Sequence, residues 1–185
     1  MNTMLKEQPR FAAPWGSPLK MMTAATALIL AGIAFTGIFS GPAGSTIWVL
    51  AMVVLPVALL SVSAFFAIRG YALTSDALIV ERPGWSSKID LSGLVSAEAD
   101  PAAMDKSIRN FGNGGMFCIA GSFHNTKLGS YRVFATDPKR AVVLRFPKRT
   151  VVVTPDDPQA FVACVRERRG LGSKEIQDSG FKIQD

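Results

Sequence analysis

Few residues in this sequence have the types and spacing that chemistry requires. The one histidine, His124, lies beside the turn Asn125–Gly129, with no second histidine and no cysteine at ligand spacing, so no metal site is expected. The run Gly112-Asn-Gly-Gly115 lacks the Gly-Lys-Ser/Thr ending of a phosphate loop and precedes a strand pattern rather than a helix. It is not Gly-x-Gly-x-x-Gly either, because Phe117 stands where the third glycine belongs. No Gly-x-Ser-x-Gly elbow is present. The adjacent Asp156 and Asp157 fall at a helix start, where capping and the helix dipole account for them. The expectation is a non-enzymatic chain with no cofactor and no metal.

Two candidate binding surfaces remain. The first is basic, with Lys139 and Arg140 in one turn and Arg145, Lys148 and Arg149 around the next. A Lys or Arg near an anionic leaflet contributes about 1 kcal/mol, so these are candidate lipid-binding or partner-binding residues. The second is the glycine-rich stretch carrying Arg109, Asn110, Gly112, Gly114, Gly115 and Phe117. Its glycines permit a bulge or close backbone approach, and an exposed edge there would accept a peptide strand.

The elements that must hold these surfaces divide sharply. Among 185 residues, 49% are hydrophobic and only 18% charged, and no charged residue lies between Lys20 and Arg69. A bilayer core needs about 20 apolar residues in helix. Residues 21–40 and 47–68 each supply that length, and residues 41–46 are long enough only to join antiparallel neighbours. The expectation is a two-helix transmembrane hairpin, with Pro56 kinking its second helix. Lys6, Arg10 and Lys20 precede the hairpin, Arg69, Arg82 and Lys88 follow it, and its loop is uncharged. The positive-inside rule then places both termini in the cytoplasm at the inner membrane, with residues 1–20 as a cytoplasmic N-terminal segment. Ala24, Ala27, Ala31 and Ala34 lie near one face, where a neighbouring helix can approach. With no ionisable residue inside either span, transport has no support. The net charge of +6 suits a domain beside anionic lipid but is too weak to argue for nucleic acid. Cys118 and Cys164 read as two reduced core thiols, with a single disulfide as the alternative.

From Tyr71 onward the pattern changes to short strands of period two separated by turns such as Arg82-Pro-Gly84. Thr154-Pro-Asp-Asp-Pro158 opens a helix, Gln159 to Arg169 continues it, and Gly170 stops it. Residues 71–169 are thus expected to form about seven strands in a bent sheet or barrel closed by one C-terminal helix, with 170–185 as a flexible polar tail.

That outline, with particular residues, resembles the pleckstrin homology (PH) fold in its bacterial branch. Tyr71, Leu73, Thr74, Asp76, Leu78 and Val80 have the spacing of the opening of bacterial PH-like domains. The stretches from Arg109 to Phe123, Leu128 to Asp137 and Val152 to Phe161 are similar to a branch in which two N-terminal membrane helices precede the PH domain. The resemblance implies a non-catalytic, membrane-tethered binding module. The leading expectation is binding to a protein partner or self-assembly into a homo-oligomer at the membrane. The alternative is recognition of anionic lipid headgroups by the basic turns.

Overall fold

The computed structural model describes residues 8–42 and 44–170. The tail expected at 170–185 lies, beyond Gly170, outside the described residues.

The first apolar run forms a helix from Ser17 to Phe39, beginning with Pro18 in its first turn, where a missing N–H costs nothing. The second runs from Thr46 to Phe65, with the Ser45 hydroxyl accepting from the Trp48 amide at its start. Both helices are long and apolar enough to cross a membrane, and little of either is covered by the rest of the chain. They pack on each other, with Ala27 and Ala34 partly covered and Gly37 buried, while Ala24 and Ala31 are exposed. Gly37 marks a close approach: a Cβ there would lie 2.5 Å from that of Met52, and the Trp48 indole donates to the Gly37 carbonyl at 3.0 Å. Proline cannot donate, and its ring crowds the carbonyl four residues earlier. The disturbance expected at Pro56 takes the form of a π-helical segment, Leu50–Val54, immediately before it.

Ten strands form two sheets. The first is an antiparallel meander in the order β1 (Arg10–Ala12), β2 (Gly70–Leu73), β3 (Ala77–Arg82) and β4 (Trp85–Asp90). The second has the order β5 (Ser96–Ala99), β9 (Val142–Phe146), β10 (Arg149–Val153), β8 (Gly129–Ala135), β7 (Ile119–Asn125) and β6 (Ile108–Gly114). All its pairings are antiparallel except β8 with β10.

The apolar faces of the two sheets meet in one core containing Tyr71, Leu73, Leu78, Val80, Leu91, Leu144, Val151 and Val153. The C-terminal helix, Pro158–Arg169, covers one side of it with Phe161, Val162 and Val165. Asp157 caps this helix, accepting from the Gln159 and Ala160 amides at 3.1 and 3.0 Å, and Gly170 ends it at φ 63°. Arg168 reaches the Leu73 carbonyl on the first sheet and Arg166 the Ala97 carbonyl on the second, so the helix bridges both. A second cluster, around Phe123, Tyr131, Val133 and Val152, fills the opposite face of the larger sheet under the segment containing Ala103.

The expectation of about seven strands in a bent sheet or barrel is corrected in two respects. Among the described residues there are ten strands, and their sheets do not close into a barrel. The count rises partly because residues 10–12, within the segment read as a separate N-terminal stretch, pair with β2. Three residues are too few for a period to register. Phe11 stacks edge-on against Phe161, and the Asp156 amide donates to the Ala12 carbonyl, so the N-terminal segment is built into the β domain. The stretch Ile108–Gly114 is also a strand despite its glycines. Both cysteines are free.

Candidate functional site

β4 and β6 are edge strands of different sheets, and where they part a cavity of about 660 Å³ enters between the layers. Its walls come from strands of both sheets and from the end of the second apolar helix, through Val62, Ser63 and Phe66. Strand alternation sets what faces inward. On β3 the buried face runs Leu78, Val80, Arg82, so the arginine occupies an apolar register position. Phe134 and Arg132 on β8, and Val151 and Arg149 on β10, each pair an apolar residue with a cation along the wall.

Arg82 is the central residue. It is only 7% exposed, and its Nε has no hydrogen-bond partner. Its Nη1 donates to the Phe66 carbonyl, and its guanidinium lies 4.7 Å from the Trp85 ring centroid and 5.9 Å from that of Phe134. Trp85 in turn donates through Nε1 to the Phe65 carbonyl at 3.0 Å. Together they satisfy carbonyls at the C-terminal end of the second helix, where positive charge is favoured. Lys88, Arg132 and Arg149 also line the cavity, and among the described residues no Asp or Glu does. None of these four cations forms an ion pair among the described residues. Burying a cation without a counter-charge is costly, so Arg82 gives the cavity a standing preference for an anion. Cys118 lies at the inner end, and burial raises its thiol pKa despite the opposing charge of Arg82. It is therefore a neutral thiol near neutral pH.

The wall between β6 and β7 depends on glycine. Gly112 and Gly121 face each other across the strands at φ 114° and 145°, and a Cβ on either would collide with the opposite backbone. A register shift between Arg109 and Phe111 bends the strand at this point.

The basic residues identified from sequence are not brought together. Lys139 and Arg140 occupy the 3-10 turn before β9, where Arg140 contacts the Asp156 carbonyl and pairs with Asp137 at 3.5 Å. Lys148 and Arg149 lie at the far end of the β9–β10 hairpin, with Arg145 half-buried on β9. Of the five, Arg149 alone lines the cavity, and it donates to the Asp90 carbonyl at 2.7 Å. The glycine-rich residues divide as well. Arg109, Asn110, Gly112 and Gly114 lie on β6, the unpaired edge, beside the exposed Phe111. Gly115 and Phe117 instead hold the first helix: Thr23 Oγ1 donates to the Gly115 carbonyl at 3.3 Å and accepts from the Phe117 amide at 3.0 Å. Trp15 packs edge-on against Phe117, which sits at φ 62°. His124 is exposed on β7, with Nδ1 3.3 Å from the Ser130 hydroxyl.

From sequence Arg82 reads as a turn residue and, with Lys88, as a basic flank, and neither these two nor Trp85, Arg132 and Phe134 stand out as site residues. One signal was available: in Ala-Leu-Ile-Val-Glu-Arg, the arginine falls on the same face as Leu78 and Val80.

No curated protein and no solved structure matches the chain. The family described as bacterial PH domain matches residues 69–169, more than half of the chain and the region that carries β2 to the C-terminal helix. PH domains are in general non-catalytic binding modules. The chain belongs to the bacterial PH domain family.

Proposed function

We propose that this chain is a membrane-anchored, non-catalytic binding module, and that its binding site is the inter-sheet cavity at the foot of the helix pair. The observation that carries the reading is the shared wall: Val62, Ser63 and Phe66 belong to the end of an apolar helix and line the same cavity as Arg82 and Trp85. A ligand in that cavity touches the anchor and the domain together.

Anchoring is supported by the length, hydropathy and bare surfaces of the two helices. The domain itself ties their outer ends together, because the Ala13 amide donates to the Arg69 carbonyl at 3.3 Å and β1 pairs with β2. This tie supports a hairpin whose two ends emerge on one side of a bilayer. The basic flanks support the reading that this side is the cytoplasm of a bacterial inner membrane. A second reading, capture of a protein strand or of a second copy of the chain, is favoured by the unpaired edge of β6, where Ile108 and Phe111 are exposed.

Topology is tested by cysteine labelling in a background lacking Cys118 and Cys164. Pro42→Cys in the loop should react with a membrane-impermeant maleimide on intact cells, and Lys148→Cys in the domain only after permeabilisation. Labelling of both, or of neither, before permeabilisation would sink the anchored-hairpin reading.

A further inference from the structure

The chemistry of the cavity specifies its occupant more narrowly than "a ligand". Among the described residues four cations and no carboxylate line it, three of the four being arginine. Guanidinium forks match phosphate oxygens two at a time and are more weakly hydrated than ammonium, so partial burial disfavours them less. Ser87 and Ser122 add hydroxyls able to donate to the remaining oxygens. Arg82 is oriented by its bond to the Phe66 carbonyl and by stacking on Trp85, yet its buried Nε is left without a partner. Among the described residues it is the one buried side-chain donor without a partner, and such a donor marks a place where something else accepts.

The rim is of the opposite character. Val62 and Phe66 come from the helix pair, Phe111 from the β6 edge and Trp85 from the first position of β4, and Val62, Phe66 and Phe111 are exposed. A free phosphate compound has no use for such a rim, whereas a molecule with an apolar chain attached to its anionic head does. The volume of about 660 Å³ falls within the span of ordinary small-molecule sites and suffices for a headgroup and the start of a chain.

We infer that the cavity binds the phosphate head of an anionic amphiphile drawn from the adjoining bilayer, with Arg82, Arg132 and Arg149 contacting the phosphate and Val62, Phe66 and Phe111 flanking the chain. This rests on the cavity being the working site of a membrane-anchored module. It moves anionic recognition away from the exposed turn at Lys139 and Arg140, which lies at the other end of the β9–β10 hairpin and lines no part of the cavity.

The test uses the full chain in non-ionic detergent with Trp15→Phe and Trp48→Phe, leaving Trp85 as the single indole reporter. Three probes are titrated: dihexanoyl phosphatidylglycerol, dihexanoyl phosphatidylcholine and glycerol phosphate. The expected result is a saturable change in Trp85 emission with phosphatidylglycerol and a much weaker response to phosphatidylcholine, whose choline cation the arginines repel. Glycerol phosphate, having a head and no chain, should also respond weakly. Arg132→Gln with Arg149→Gln should weaken phosphatidylglycerol binding by about tenfold or more. Arg82→Lys, which keeps the charge and loses the fork, should weaken it as well, while Lys139→Ala with Arg140→Ala should leave it unchanged. Equal response to all three probes, glycerol phosphate binding as well as the lipid, or indifference to the Arg132 and Arg149 substitutions would each overturn the inference. Carbonate extraction of membranes carrying the same variants reads anchoring separately. Retained insertion without a Trp85 response refutes the ligand class alone, and loss of insertion refutes the anchoring itself.

Discussion

Replacing Tyr71 with phenylalanine should destabilise the β domain by an amount that depends on pH. Tyr71 is fully buried on β2, and its hydroxyl donates to the Phe134 carbonyl at 2.6 Å and accepts from the Thr154 amide at 3.2 Å. It thus links the smaller sheet to β8 and to the residue following β10 in the larger one. In Tyr71→Phe the ring still fills its space, but the Thr154 amide loses its acceptor inside a core where water cannot replace it. A buried donor left without a partner costs about 1–3 kcal/mol. For a domain of about 100 residues, a loss of about 2 kcal/mol lowers Tm by roughly 8–16 °C. Alkaline pH should then erase the difference. Burial pushes the Tyr71 pKa up to about 12 from 10.0, against the hydrogen bond from Thr154 and the nearby charge of Arg82. A raised native pKa means that the folded state holds the proton more tightly. The associated stability is complete below pH 10, the unfolded value, and is lost as pH rises through about 12. At 1.36 kcal/mol per unit, that loss is about 2–3 kcal/mol in the wild type and absent in the phenylalanine variant. The assay is thermal unfolding of both proteins in mild detergent between pH 8 and 12, followed by near-ultraviolet circular dichroism. Their melting temperatures should differ by about 10 °C at pH 8 and converge toward pH 12. A constant gap across that range, or a gap under about 2 °C at pH 8, would refute the reasoning.

Gly112→Val should cost at least about 2–3 kcal/mol, because it forces a branched residue to φ 114° and into the Ala120 carbonyl; a melting temperature equal to the wild type's would contradict the glycine-pair geometry. Thr23→Val should release the first helix from the Gly115–Phe117 backbone while leaving both cores intact. Amide exchange at Phe117 should rise by about tenfold with little change in Tm, and unchanged exchange there would count against that contact.

What a residue pattern can encode by itself was legible. Two uninterrupted apolar runs must be helices of membrane length, whatever packs around them, because their extent and lack of charge are local properties. The C-terminal helix was equally local: its capping aspartate, opening proline and closing glycine all lie within residues 157–170. The short strands from Tyr71 announced a mainly β domain, and the spacing from Tyr71 to Val80 pointed to the family. Glycine chemistry could be read only as "bulge or close approach", and the structure divides it between a bend in β6 and the seat of the first helix.

Tertiary structure decided the rest, for a physical reason common to each case. The pairing of Arg10–Ala12 with β2 joins segments separated by the whole hairpin, and no local period of three residues can reveal such a contact. The two basic turns lie near each other in sequence but at opposite ends of the β9–β10 hairpin, because an extended strand carries its ends apart. Conversely, Arg82, Arg132 and Arg149 are scattered in sequence and converge because three strands of two sheets present one face to the same gap. Sequence specified which residues could face inward. Where the sheets failed to close, and therefore which of those residues line a cavity instead of a core, depended on how β4 and β6 were left at the edges.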